Sequence, residues 1–122
     1  MSERLLVVVN NSDPRNPCEI IEPIYNATVA ASMDYQVEMI FSGRAGEILV
    51  KGVAEEVPTL KDDEKTVATM LQEAIAAGVQ IKATKHVTLR WGDELIPEVD
   101  DIVGSGYLIS EIMHDDSKTL SY

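Results

Sequence analysis

Apolar positions along the chain alternate between short unbroken runs and stretches with helical spacing. Leu5-Leu6-Val7-Val8-Val9 is continuous and rich in β-branched residues, the pattern of a parallel strand covered on both faces. Asn10-Asn11-Ser12-Asp13-Pro14, a dense group of turn formers, ends it. A helix start follows at once, with Asn16 as N-cap, Pro17 at the first helical position and Glu19 three residues after the cap. Ile20, Ile21, Ile24, Tyr25, Thr28 and Ala31 then share one predicted helical face.

The same alternation continues. Tyr35 to Phe41 reads as a second strand, with Val37, Met39 and Phe41 on one side and Ile40 on the other. Ser42-Gly43-Arg44-Ala45-Gly46 closes it, and a short helix is expected from Glu47 to Val53. After a connector containing Pro58, Asp62 or Asp63 is placed to cap a helix carrying Val67, Leu71, Ala74 and Ile75, which Gly78 stops. Val79 to Thr84 is the third strand, and Lys85 to Pro97 reads as a mixed loop with one turn of helix near Asp93. Asp101 to Val103 forms a fourth strand before Gly104-Ser105-Gly106. A last helix follows with Leu108, Ile109, Ile112 and Met113 on one face, and His114 suits its negative end. Thr119 to Tyr122 alternates and can add a terminal strand.

Strands alternating with helices imply a parallel sheet of about five strands between helix layers, a three-layer α/β/α architecture. No repeat, low-complexity segment or linker divides residues 1–122, so a single domain is expected.

Composition narrows the function classes. The formal charge is −11, from 21 acidic and 10 basic residues, which argues against nucleic acid and anionic membranes as partners. No apolar run approaches a membrane span or a signal-peptide core, so the cytoplasm is the expected location. The sequon Asn26-Ala27-Thr28 falls within a helical pattern and reads as chance. Cys18 is the only cysteine, which excludes an intramolecular disulfide. Two histidines and one cysteine, far apart in sequence, fit no zinc spacing, and no cofactor motif is present.

In open α/β sheets ligands bind at the carboxyl ends of the strands. The first loop delivers Asn10, Asn11, Ser12, Asp13 and Arg15 there, and the second delivers Ser42, Gly43, Arg44 and Gly46. The third supplies Thr84, Lys85, His86 and Arg90, and the fourth Gly104, Ser105 and Gly106. Cations gathered on one rim of an acidic protein point to a small oxyanion held by Asn11, Ser12, Arg44, Thr84, Lys85 and Arg90. The bland alternative is that loops are polar in any protein. The glycine runs match neither a dinucleotide fingerprint nor a P-loop and read as tight turns. Cys18 and His86 are the candidate catalytic side chains. Cys18 lies in the first helical turn, where Glu19 and Glu22 offset the positive helix end, and a buried, inert thiol beside Ile21 is expected. His86 brings an imidazole, the side-chain type suited to proton transfer near neutral pH, but no readable carboxylate partner.

The chain resembles the DsrE/DsrF-like (YchN-type) sulfur-relay family over nearly its full length. The likeness rests on the apolar first strand with its Pro-containing loop, on Phe41-Ser42-Gly43, and on Ala76-Ala77-Gly78-Val79-Gln80-Ile81. Arg90-Trp91-Gly92-Asp93-Glu94-Leu95-Ile96-Pro97 and Asp101-Ile102-Val103-Gly104 complete it. The resemblance implies a five-stranded parallel sheet, a homotrimer or hexamer, and a cysteine at the end of the third strand that passes persulfide sulfur to a carrier protein. Here that position reads Ala83-Thr84-Lys85-His86. A threonine hydroxyl cannot hold a transferable sulfane sulfur, which needs a soft, ionisable thiolate. The expectation is therefore an anion-binding or accessory protein of sulfur metabolism. The alternatives are a sulfur carrier using Cys18 and a ligand-free oligomeric scaffold.

Overall fold

A computed structural model of the chain describes residues 3–59 and 64–122. Its frame is a sheet of β1 (Arg4–Val9), β2 (Gln36–Phe41), β3 (Gln80–Thr84), β4 (Val99–Val103) and β5 (Ser117–Ser121). The five strands run in the order β4-β3-β2-β1-β5, and every pairing is parallel. The helices are α1 (Pro17–Ser32), α2 (Val67–Ala77), α3 (Lys85–Trp91) and α4 (Ser105–Ile112), with 3-10 segments over Gly43–Leu49 and Ala54–Glu56. Steps from β1 through β4 all move the same way across the sheet, so right-handed crossovers put their helices on one face. The return from β4 to β5 puts α4 on the other. This is a three-layer α/β/α fold, and β1 lies inside the sheet as its sequence predicts.

The two faces are filled differently. Val7, Val9, Val37, Met39, Phe41, Ile81 and Ala83 point to the α1 and α2 side and join one large apolar core. On the α4 side only Leu6, Ile40 and Val103 form a buried cluster among the described residues, against half-buried Tyr107, Leu108 and Ile112. Polar contacts hold α4 instead. The Tyr107 hydroxyl donates to Glu38 Oε1 at 2.6 Å and accepts from Lys82 Nζ at 2.6 Å. Arg4 pairs with Glu111 of the same helix. Burial pulls the Lys82 ammonium pKa down, but the Tyr107 hydroxyl and the Glu38 carboxylate outweigh it and leave it above the usual lysine value. Burial, then the hydrogen bond to Glu38, raises the Tyr107 phenol, with Lys82 opposing.

Several expectations need correction. Tyr25 is 60% exposed, because the buried stripe of α1 runs through Ile20, Ile24, Ala27 and Ala31 and turns Tyr25 outward. The helical segment after β2 starts at Gly43, not Glu47, and is 3-10. Residues 85–91 form α3 rather than loop, and Asp93 lies beyond it. With Val87 as its one buried side chain, α3 carries no apolar period to read. Ile109 and Met113 are 57% and 74% exposed, since α4 turns Tyr107, Leu108 and Ile112 to the sheet and leaves these two positions on its outer side. The α2 cap position is Thr66; Asp62 and Asp63 lie outside the described residues.

Candidate functional site

At the carboxyl ends of β1, β2 and β3 the chain leaves an open cleft of about 510 Å³, lined by Asn10, Ser42, Gly43, His86, Leu89 and Arg90. Backbone contacts fix its floor. Ser42 N donates to Val9 O at 2.9 Å, and Asn10 N donates to Tyr122 O at 2.9 Å. Gly43 has φ +52, and a Cβ there would stand 2.2 Å from Asn10 Oδ1. Only glycine lets the first two loops close on each other here. Gly46 does a different job: a Cβ there would stand 2.4 Å from Val87 Cγ2. Its absence lets α3 pack against the 3-10 segment and present His86, Leu89 and Arg90 to the cleft. Gly43 and Gly46, read as mere turns, are therefore packing glycines as well.

Below this wall, Thr84 is 4% exposed. Its Oγ1 lies 2.9 Å from Ser42 Oγ, one hydroxyl donating to the other. The end of β3 thus carries a hydroxyl pair, a buried Thr84 with a half-buried Ser42.

The cations of the rim divide into two groups. Arg15 lies 3.4 Å from both Glu47 and Glu56, and the hydrogen bond to Glu47 raises its pKa above the usual arginine value. Arg44 donates through Nε to the Asn11 carbonyl at 2.7 Å and stands 3.6 Å from Glu19. By contrast, the side chains of Lys85, His86 and Arg90 have no hydrogen bond or ion pair among the described residues. Arg90 lies over the Trp91 ring, 5.0 Å from its centroid.

Of the residues expected at an oxyanion site, the fold brings Arg90 to the cleft wall, beside the catalytic candidate His86, and Thr84 beneath its Ser42 floor. Arg44 and Asn11 are tied to each other, Ser12 is buried at 6% exposure, and none of the three lines the cleft. Lys85 lies towards Gly104, where α4 begins, with its Cε 3.9 Å from the point a Cβ would occupy. Cys18 is exposed rather than buried, and it is not in the lining. With Ile20 and Ile24 turned to the core, a residue two positions earlier points outward at 100° per residue. Asn10, Ser42 and Gly43 were legible as rim residues but not as the lining. Leu89 had no place in the sequence reading, although His86, Leu89 and Arg90 stand at the i, i+3, i+4 spacing of one helix face.

Amide, hydroxyl and guanidinium groups can bind an anion, and they include no nucleophile of thiolate type. Among the described residues, no three His, Cys, Asp or Glu side chains stand together to hold a metal ion, and no helix is long and apolar enough to cross a membrane.

An all-parallel α/β/α sheet with a cleft at its strand ends defines the class of protein. Within that class the chain has the fold of the ychN protein from E. coli, with a TM-score of 0.75 over 100% of both chains at 17% identity. A conserved protein of unknown function from Bacteroides thetaiotaomicron has a TM-score of 0.69 over 98% of this chain and 95% of its own, at 13% identity. No protein-family profile and no curated protein matches the sequence. At these identities the likeness is one of fold, and it agrees with the YchN-type resemblance read from the sequence.

Proposed function

We propose that this chain is a diverged DsrE/DsrF-like protein of sulfur metabolism that binds a small anion as an accessory subunit and carries no persulfide at the end of β3. The observation that supports this reading most is the pairing of Thr84 with Ser42 at that position, beside a cleft whose Arg90 meets no carboxylate among the described residues. An unpaired guanidinium fits the two-point recognition of an oxyanion. Self-association as a trimer or hexamer and a sulfur-carrier partner come with the resemblance, and a cytoplasmic setting is the expectation drawn from the short apolar runs of the sequence. Light scattering at micromolar concentration should return a trimer's mass or a multiple of it, and a monomer's mass would remove that part.

Anion binding is tested by calorimetry with sulfate, phosphate and thiosulfate at fixed ionic strength. Arg90→Ala should weaken binding about tenfold, the low end of what a charge-assisted hydrogen bond supplies at an open site. Lys65, held by Glu73 at 2.8 Å, serves as a control, and Lys65→Ala should bind like the parent. Equal behaviour of the two variants would mean a polar edge and no site.

The exposure of Cys18 favours one second reading, a sulfur carrier using that thiol. Its thiolate would attack the outer sulfur of a donor persulfide, forming a new S–S bond while the donor leaves as a thiolate. Native labelling by a thiol probe measures its reactivity. Slow labelling would count against this second reading.

A further inference from the structure

We propose that the strand-end cleft takes an organic anion with an apolar tail, its acidic head at Arg90 and His86 and its tail along Leu89. The inference rests on the anion reading of the same cleft and adds the ligand's second half. Three observations carry it. The cleft measures about 510 Å³, inside the range of about 300–1,000 Å³ typical of organic-ligand sites. A bare tetrahedral oxyanion would occupy only a corner of it. Leu89 is 81% exposed, the most exposed large apolar side chain among the described residues, and it lines this cleft. It precedes Arg90 and follows His86 by three residues, so one helix face sets an apolar surface beside a cation without a carboxylate partner. The opposite wall is neutral and polar, with the Asn10 amide and the Ser42 hydroxyl. Charge complementarity selects an acid, and the apolar surface next to it selects one with hydrocarbon attached.

The full-length chain is titrated calorimetrically with sulfate, methanesulfonate, butanesulfonate and hexanesulfonate at constant ionic strength. Affinity should rise roughly twofold per methylene, as expected for half-buried hydrocarbon. Leu89→Ser removes no buried contact, so the variant should fold as the parent does. It should bind sulfate unchanged and lose the dependence on chain length. Arg90→Ala should weaken every member of the series alike. Equal affinity across the series would overturn the apolar-tail inference and leave the anion reading intact. Absence of binding by all four would sink both. A chain-length dependence that persists in Leu89→Ser would place the hydrocarbon elsewhere and contradict the proposal. So would a parent assembly that Leu89→Ser dissociates on light scattering, with no chain-length effect, because Leu89 would then be covered by another copy.

Discussion

The strand-end rim has two sides that treat their cations differently. On the β1 and β2 side, Arg15 and Arg44 are spent on Glu47, Glu56, Glu19 and the Asn11 carbonyl, and they tie loops together. On the β3 side, Lys85, His86 and Arg90 meet no carboxylate among the described residues, although the protein carries a net charge of −11. An acidic chain can neutralise its cations easily, so leaving some free on one side is the informative feature. Position along a sheet edge does not make a charge available to a ligand. Freedom from internal partners does.

The largest effect should come from Gly46→Ala, which acts on the frame that presents the free side. Its methyl would overlap Val87 and force α3 away from the 3-10 segment. Overpacking of this kind costs about 1–3 kcal/mol, so the denaturant midpoint should drop and anion affinity should fall with it. A midpoint equal to the parent's would show that Gly46 is not what seats α3. Gly43→Ala combines a methyl against Asn10 with an unfavourable positive φ and should behave similarly.

Next is the Tyr107 network, which lies away from the cleft and serves as the comparison's control. Tyr107→Phe removes the hydroxyl between Lys82 and Glu38 and should cost about 1–3 kcal/mol, because the Glu38 carboxylate is nearly buried. Anion binding should be untouched. The pH dependence follows from the same groups. Lys82 and Tyr107 both have folded-state pKa values raised above their ordinary 10.5 and 10.0. A raised value means the folded state holds the proton more tightly than the unfolded one does. The stability it contributes is complete below about pH 10 and is lost as pH climbs through the folded-state values. Parent stability should therefore fall above pH 10, and Tyr107→Phe should flatten that fall. An identical alkaline slope in both proteins would remove the network from the account.

The smallest effect should come from Arg44→Ala. Its ion pair with Glu19 is exposed and contributes little. The loop carrying Asn11 should loosen, and anion affinity should change far less than in Arg90→Ala. A loss equal to that of Arg90→Ala would erase the distinction between the two sides of the rim.

The sheet was legible because its strands are apolar and β-branched, and the capping signals at Asn16, Pro17 and Gly78 fell where the helices begin and end. The α3 helix was not, since a helix with one buried side chain leaves no periodic trace. Exposure of Ile109 and Met113 was hidden for a related reason. Their spacing is that of a core-facing stripe, and the groups that make Tyr107, Leu108 and Ile112 the inner face instead, Leu6, Ile40 and Val103 with Glu38 and Lys82, belong to distant strands. At the rim, loop membership was readable and pairing was not. Nothing in the sequence near Arg44 tells that its guanidinium closes on the carbonyl of Asn11, 33 residues earlier. The threonine at position 84, where the resemblance implies a cysteine, was readable directly, whereas the outward turn of Cys18 depended on which of two overlapping stripes of α1 faced the core.

The central claim is that no persulfide forms at the end of β3, and intact-protein mass spectrometry tests it most directly. The chain is incubated with an excess of a low-molecular-weight persulfide, desalted without reductant and weighed beside Cys18→Ser treated in the same way. The account predicts that Cys18→Ser gains no sulfur and that the parent gains none that is stable. A gain of one sulfur in the parent that Cys18→Ser abolishes would move the function to Cys18, and a gain that survives the substitution would contradict the account outright.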